Sequence, residues 1–283
     1  MSTLATYLSL VRFSHSVFAL PFAFTGALLA WRVTPFRWSQ VLWIAICMVS
    51  ARSAAMAFNR LVDARFDALN PRTAMREIPQ GRVRPASVAA FVAASSAVFI
   101  YGAFRLNPIC GWLSPVALAI VFWYSLAKRV TSYTQFFLGL AMAVAPVGGW
   151  LAAGGGLAWP PFWLALAIGT WVGGFDVLYA CQDVAFDRAH GLRSIPVRFG
   201  VGRSLLISRA LHVATVGCLL ALGVIRPLGP IYFAGVGLVA LLLVYEQTLV
   251  REDDLSQVKR AFDLNGYVGI LYLVTTSLAV YLR

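Results

Sequence analysis

Nine apolar runs of roughly 20 residues, each long enough to cross a bilayer as a helix, occupy most of this 283-residue chain. They cover residues 15–31, 39–58, 86–104, 109–127, 135–153, 160–182, 204–225, 229–247 and 263–282. Inside hydrocarbon every backbone N–H and C=O must be satisfied within the protein, so segments of this length cross as α-helices. The expected fold is an all-α polytopic membrane protein, a single transmembrane domain over 1–283 with about nine helices. Only 12% of residues are charged, about half the fraction typical of a soluble domain. So few charges cannot cover a water-facing surface, which excludes a soluble enzyme and a disordered chain. The net charge of +12 would by itself suggest a polyanion, but the bilayer explains it better. No nucleic-acid partner is expected, and nothing calls for an obligate protein partner.

The basic residues set the orientation. Seventeen Lys or Arg fall in the N-terminal stretch, in the loops after spans two, four, six and eight or, for Arg209, near the start of span seven. Arg32, Arg37, Arg105, Arg226 and Arg283 fall on the other side, and Arg52 lies within span two. By the positive-inside rule the N-terminus and the long loops face the cytoplasm. The N-terminus lacks the basic region and cleavage pattern of a secretory signal, so the first apolar segment is expected to remain in the mature protein. Cys47, Cys110, Cys181 and Cys218 have no paired spacing, which argues against disulfides and a zinc site.

The 11 acidic residues are informative because they are few. Asp63 and Asp67 end span two, and Asp176, Asp183 and Asp187 end span six. On an α-helix Asn59, Asp63 and Asp67 fall within about 80° of arc, and Asp176, Asp183 and Asp187 within about 40°. Asp63 to Asp183 and Asp67 to Asp187 are the same interval of 120 residues. That interval spans four helices, so both clusters open to the same side, and two four-helix halves plus one helix are expected. Stacked carboxylates repel unless something neutralises them. Mg²⁺ takes oxygen ligands, commonly one or two carboxylates together with substrate phosphates. Two such helices are expected to cradle a Mg²⁺–diphosphate; the plainer reading is helix-end acids reaching water and pairing with nearby Arg.

Arg72 and Arg76 follow the first cluster, Lys128 lies one turn after Tyr124, and Arg188 and Arg193 follow the second cluster. Arg offers phosphate a bidentate fork and Lys a point charge; Arg129, Arg188 and Arg193 serve equally well as orientation signals. Arg52 lies two turns before Asn59 on the same face and needs an anionic partner. Asp63, Asp176 and a substrate carboxylate all remain open for that role.

These residues carry a resemblance. Asn59-x-x-x-Asp63-x-x-x-Asp67, with Asn70, Arg72, Thr73 and Arg76, resembles the first aspartate-rich motif of the UbiA family of intramembrane prenyltransferases. Asp176-x-x-Tyr179-Ala180-x-x-Asp183-x-x-x-Asp187, with Gly191 and Ser194, resembles the second, and Tyr124-x-x-x-Lys128 resembles the family's Tyr/Lys element. The resemblance spans nearly the whole chain and looks most like the 4-hydroxybenzoate polyprenyltransferase branch. His15-Ser16-Val17-Phe18-Ala19-Leu20-Pro21-Phe22 and Ala55-Met56-Ala57-Phe58-Asn59-Arg60 are similar to a variant that includes enzymes assigned to dihydroxynaphthoate in an alternative menaquinone route.

The resemblance implies helices around a central cavity that opens laterally to lipid, in a bacterial inner membrane. It implies two Mg²⁺ ions held by Asp63, Asp67, Asp183 and Asp187 with help from Asn59. Its substrates would be a polyprenyl diphosphate and a small aromatic acid. Arg72, Arg76, Tyr124 and Lys128 would contact the diphosphate; Arg52, Asp176 and Tyr179 would meet the aromatic acid. The implied chemistry is ionisation of the allylic diphosphate followed by electrophilic substitution on the ring. A transporter is the competing class, and it predicts charges along a through-path near the bilayer midplane. His15, His190, His212, the glycines at 154–156 and Glu252-Asp253-Asp254 are read as structural or solvated.

Overall fold

Proline placement sets where several helices begin, because a first-turn residue has no helical partner for its N–H and the ring already holds a helical φ. The computed structural model describes residues 3–11 and 20–282, and every regular element among them is helical. In chain order these are α1 (Thr3–Leu10), α2 (Leu20–Trp31), α3 (Trp38–Leu69), α4 (Pro85–Leu106), α5 (Pro108–Ala127) and α6 (Thr134–Ala152). There follow α7 (Trp159–Ala180), a 3₁₀ turn (Cys181–Asp183), α8 (Val184–Ala189), α9 (Ile195–Phe199), α10 (Val201–Ile225), α11 (Gly229–Leu249) and α12 (Val258–Tyr281). Pro85, Pro108, Pro160, Pro196 and Pro230 stand at the starts of α4, α5, α7, α9 and α11. Pro115 lies inside α5 and deprives the Gly111 carbonyl of its helical donor. The Ser114 hydroxyl donates to that carbonyl at 2.7 Å, which is how a membrane helix tolerates the break.

Eight helical stretches among the described residues are long and apolar enough to cross a membrane. The chain is therefore a multi-pass membrane protein. α2 is apolar but has 12 residues; the expected span 15–31 begins outside the described residues, as does His15. The span expected over 39–58 continues as one 32-residue helix to Leu69. Polarity ends the hydrophobic run at Asn59, yet residues 59–69 contain no Gly or Pro, so nothing stops the helix there.

Two compact units do not follow chain order. The first contains α1, α3, α4 and α5 as far as Leu126; the second contains α2 and everything from α6 onward. A duplication of consecutive helices would group the first apolar helix with the next three, but α2 packs in the second unit. Small residues explain why. Gly26 lies against the Pro146 carbonyl and Gly149 against the Ala23 carbonyl, letting the α2 and α6 backbones touch, the usual basis of close helix pairing in lipid. Phe22, 1% exposed, adds a ring contact to Trp171 at 5.0 Å.

Within the first unit, Gly102 of α4 sits on the Cys47 sulfur of α3. Leu10 and Val11, at the end of α1, are buried with Ala57, Val83 and Val88. Within the second unit Gly139 of α6 meets the Gly169 carbonyl of α7, and Ser208 of α10 donates to the Gly174 carbonyl at 2.8 Å. Asn265 of α12 ties three helices: its carbonyl oxygen accepts from Trp171 Nε1 at 2.7 Å, and its amide donates to Glu246 of α11 at 3.0 Å. All four cysteines are free, as their spacing implied.

Candidate active site

Continuation of α3 past the apolar run places the first cluster. Asn59, Asp63 and Asp67 are successive turns of one helix face, and both aspartates are buried, at 3% and 6% exposure. Asn59 Nδ2 donates to Asp63 Oδ2 at 3.2 Å and to Ser125 Oγ of α5 at 3.4 Å. Asp67 is held differently. One terminal nitrogen of Arg76 reaches both its oxygens, at 2.6 and 2.7 Å. The chain after α3 folds back to allow this: Arg72 N–H donates to Asn70 Oδ1 at 3.0 Å, and Thr73 Oγ1 to the Asp67 carbonyl at 3.1 Å. The Arg72 side chain is exposed, and Tyr124 is half-buried on α5.

Arg52 lies two turns deeper on α3 and is half-buried. Its Nε is fully buried with no hydrogen-bond partner among the described residues. An orphaned buried guanidinium N–H is costly, so the site is suited to an incoming anion.

The second cluster departs from the sequence expectation. Asp176 and Tyr179 lie on α7, but the helix gives way to the 3₁₀ turn at Cys181, and Asp183 is the N-cap of α8 with a non-helical φ of −100° and ψ of 2°. Asp176, Asp183 and Asp187 therefore do not share one uninterrupted α-helical face. Side-chain competition marks the place: Gln182 Nε2 donates to the Tyr179 carbonyl at 2.9 Å. No Pro or Gly announces the break. Tyr179 packs on Phe262 at 4.8 Å.

Lys128 follows α5 directly, and its carbonyl accepts from Arg193 N at 2.8 Å. Arg193 Nη1 donates to the Val130 carbonyl at 2.6 Å, so this arginine braces the loop; Arg188 is exposed. His190 stacks on Phe186 at 4.0 Å as a loop residue. His212 is on a helix face as expected, and it is buried, with Nδ1 3.0 Å from Gln247. Glu252, Asp253 and Asp254 are exposed.

Sequence reasoning passed over two supports. Ser125 holds Asn59, and its place next to Tyr124 is a signal that was present. Gln135, 2% exposed, accepts from Ile195 N at 3.2 Å and anchors the loop after α8; a buried amide at the start of an apolar helix is the sign of such a role.

Among the described residues no three His, Cys, Asp or Glu side chains close into a metal-binding group. Mg²⁺ does not require one, since one or two carboxylates are completed by phosphate oxygens and water. The donors at each cluster are all hard oxygens, and the Asn59–Asp63 contact presents an amide and a carboxylate together. The residues fit that ion.

The UbiA prenyltransferase family pattern matches residues 19–272. The chain belongs to the UbiA prenyltransferase family. A relative in Pseudomonas putida named 4-hydroxybenzoate octaprenyltransferase is 31% identical over 245 residues, covering 87% of this chain and 82% of the relative. The apo structure of a UbiA homolog from Aeropyrum pernix is 35% identical, with a TM-score of 0.86, covering 93% of this chain and 96% of that one. A UbiA homolog from Archaeoglobus fulgidus bound to DMAPP and Mg²⁺ is 18% identical with a TM-score of 0.76, covering 98% and 100%; it shares the fold. UbiA membership selects the transferase class over the transporter.

Proposed function

We propose that this chain transfers a polyprenyl group from a polyprenyl diphosphate to a small aromatic acid such as 4-hydroxybenzoate, in ubiquinone or menaquinone biosynthesis. One observation carries the reading. A single helix, α3, bears oxygen donors at one end and, about 10 Å along the same face, an arginine whose buried Nε has no hydrogen-bond partner among the described residues. The donors suit a metal–diphosphate, and the arginine suits an aromatic carboxylate. The named Pseudomonas relative and the DMAPP- and Mg²⁺-bound Archaeoglobus homolog support the two substrate classes.

Asn59, Asp63, Asp67, Asp183 and Asp187 would hold Mg²⁺, two ions in all. When bound, the metal supplies positive charge that offsets the charge developing on the diphosphate. Arg72, Tyr124 and Lys128 contact diphosphate oxygens, and Arg76 exchanges Asp67 for a phosphate oxygen as substrate arrives. Positive donors aimed at the leaving group lower the barrier to cleavage of the allylic C–O bond. Arg52 holds the acceptor carboxylate and aims the ring. The carbon ortho to the phenol forms the new C–C bond with the allylic cation, and the ring proton then leaves. Asp176 and Tyr179 hold the phenol, and Asp176 is the candidate to take a proton. The aspartate clusters face the cytoplasm, on the asymmetry of basic residues.

Incubating membranes with labelled polyprenyl diphosphate, Mg²⁺ and either 4-hydroxybenzoate or dihydroxynaphthoate tests the reading. Label in a prenylated 4-hydroxybenzoate, abolished by chelation, is expected. Failure to prenylate either acid overturns it, and exclusive use of dihydroxynaphthoate reassigns the acceptor.

A further inference from the structure

A cavity of about 510 Å³ opens in the second unit, where the start of α10 meets the segment leaving α11. Arg203 and Arg209 line it from α10, and Arg251 from just beyond α11. Glu252 is the carboxylate in the lining and lies beside Gly202. Three arginines thus share the lining with one acid, and Asp254 lies beside Arg251.

Several arginines of this unit are engaged by neighbours. Arg193 bonds the Val130 carbonyl, Arg198 lies over Tyr133 at 5.3 Å, and Arg260 donates to Tyr245 at 3.0 Å. By contrast, no side-chain hydrogen bond or salt bridge to another described residue engages Arg203, Arg209 or Arg251. Orientation signalling requires a basic residue on the correct side; it does not require three to converge on one cavity.

The spacing of the charges along this open groove is informative. Arg203 is in the first turn of α10, and Arg209 lies about 9 Å further along the axis, so the charges reach from the helix end toward the apolar zone. Leu206 lies between them and is 61% exposed, while Leu205 is 5% exposed and belongs to a core cluster with Leu178, against which Tyr179 packs. Charge beside an exposed aliphatic edge matches a ligand that is anionic at one end and hydrocarbon at the other. Basic pockets between membrane helices bind anionic lipid headgroups in this way.

We propose that this groove binds the phosphate of an anionic phospholipid, with Arg203, Arg209 and Arg251 around the headgroup and Leu206 against an acyl chain. It is a site separate from substrate turnover and independent of the acceptor assigned above. Because its floor continues into the packing around Tyr179, an occupied groove braces the end of α7.

The full chain purified in detergent supplies the test. Phosphatidylglycerol should raise its unfolding temperature and phosphatidylcholine should not. In Arg203→Gln/Arg209→Gln/Arg251→Gln the apparent lipid affinity should fall about fivefold for each arginine removed. Lys259→Gln/Arg260→Gln, which removes charge nearby on the same side, should keep the full response. Equal stabilisation of the triple variant overturns the proposal. So does full reproduction of the effect by inorganic phosphate or pyrophosphate, which would make the ligand a soluble anion. Should the triple variant not fold, a photoreactive phosphatidylglycerol on the unaltered protein decides: crosslinks should map to peptides containing 202–209 or 251–252, and their absence there overturns the site.

Discussion

Asp67 and Arg76 form a pair that the substrate must rearrange. The ion pair competes with any cation that uses Asp67, and pairs of this kind contribute about 1 kcal/mol when partly exposed. Arg76→Gln should therefore lower the Mg²⁺ concentration for half-maximal activity by about fivefold, while raising KM for the prenyl diphosphate; metal titration of the variant reads both. Asp63→Asn should cut turnover by about two orders of magnitude with the helical circular dichroism unchanged. Arg52→Ala should raise KM for the aromatic acid about 10- to 100-fold, the range for losing a charged hydrogen bond. It should leave the prenyl-diphosphate KM near wild type. Unchanged acceptor KM would remove Arg52 from the site. Asn59, Asp63, Asp67 and Arg52 were legible in the sequence because they share one helix and its period fixes their relative placement. Pairing of a helix-end acid with a nearby arginine was the plainer sequence reading, and Asp67 bears it out; that the partner is Arg76 was not legible, since the contact crosses a loop whose path depends on Asn70 and Thr73.

Helix pairing carries the next level. Gly26 and Gly149 let α2 and α6 meet at backbone distance, and a Cβ at either would overlap a carbonyl of the other helix. Gly149→Ala should destabilise the protein by about 1–3 kcal/mol, seen as a lower unfolding temperature in detergent. Gly148, with open space around its Cβ position, should accept the same change with little effect. Helix existence was readable from apolar length. The break at Cys181 was not, because it coincides with a local contact, Gln182 Nε2 to the Tyr179 carbonyl, that periodicity does not reveal. Periodicity extended one α-helix through it, whereas the backbone leaves α-helical geometry at Asp183.

At the scale of the molecule, orientation rests on charge. The Arg82 loop should be cytoplasmic and the Leu157 loop external. Impermeant maleimide applied to intact cells of a cysteine-free background should label Leu157→Cys and spare Arg82→Cys until the membrane is opened. The reverse pattern would invert the topology. Length, apolarity and charge bias are local properties, so the sequence alone determined that the chain is helical, crosses the membrane many times, and carries two aspartate motifs on a UbiA pattern. Which helices touch was decided only in three dimensions. Lipid is as apolar as the side chains it surrounds, so hydrophobicity does not choose partners; close contact between small residues does. That choice moved α2 into the second unit. Folding back after α3 and α11 likewise paired Asp67 with Arg76 and gathered Arg203, Arg209 and Arg251 around one cavity.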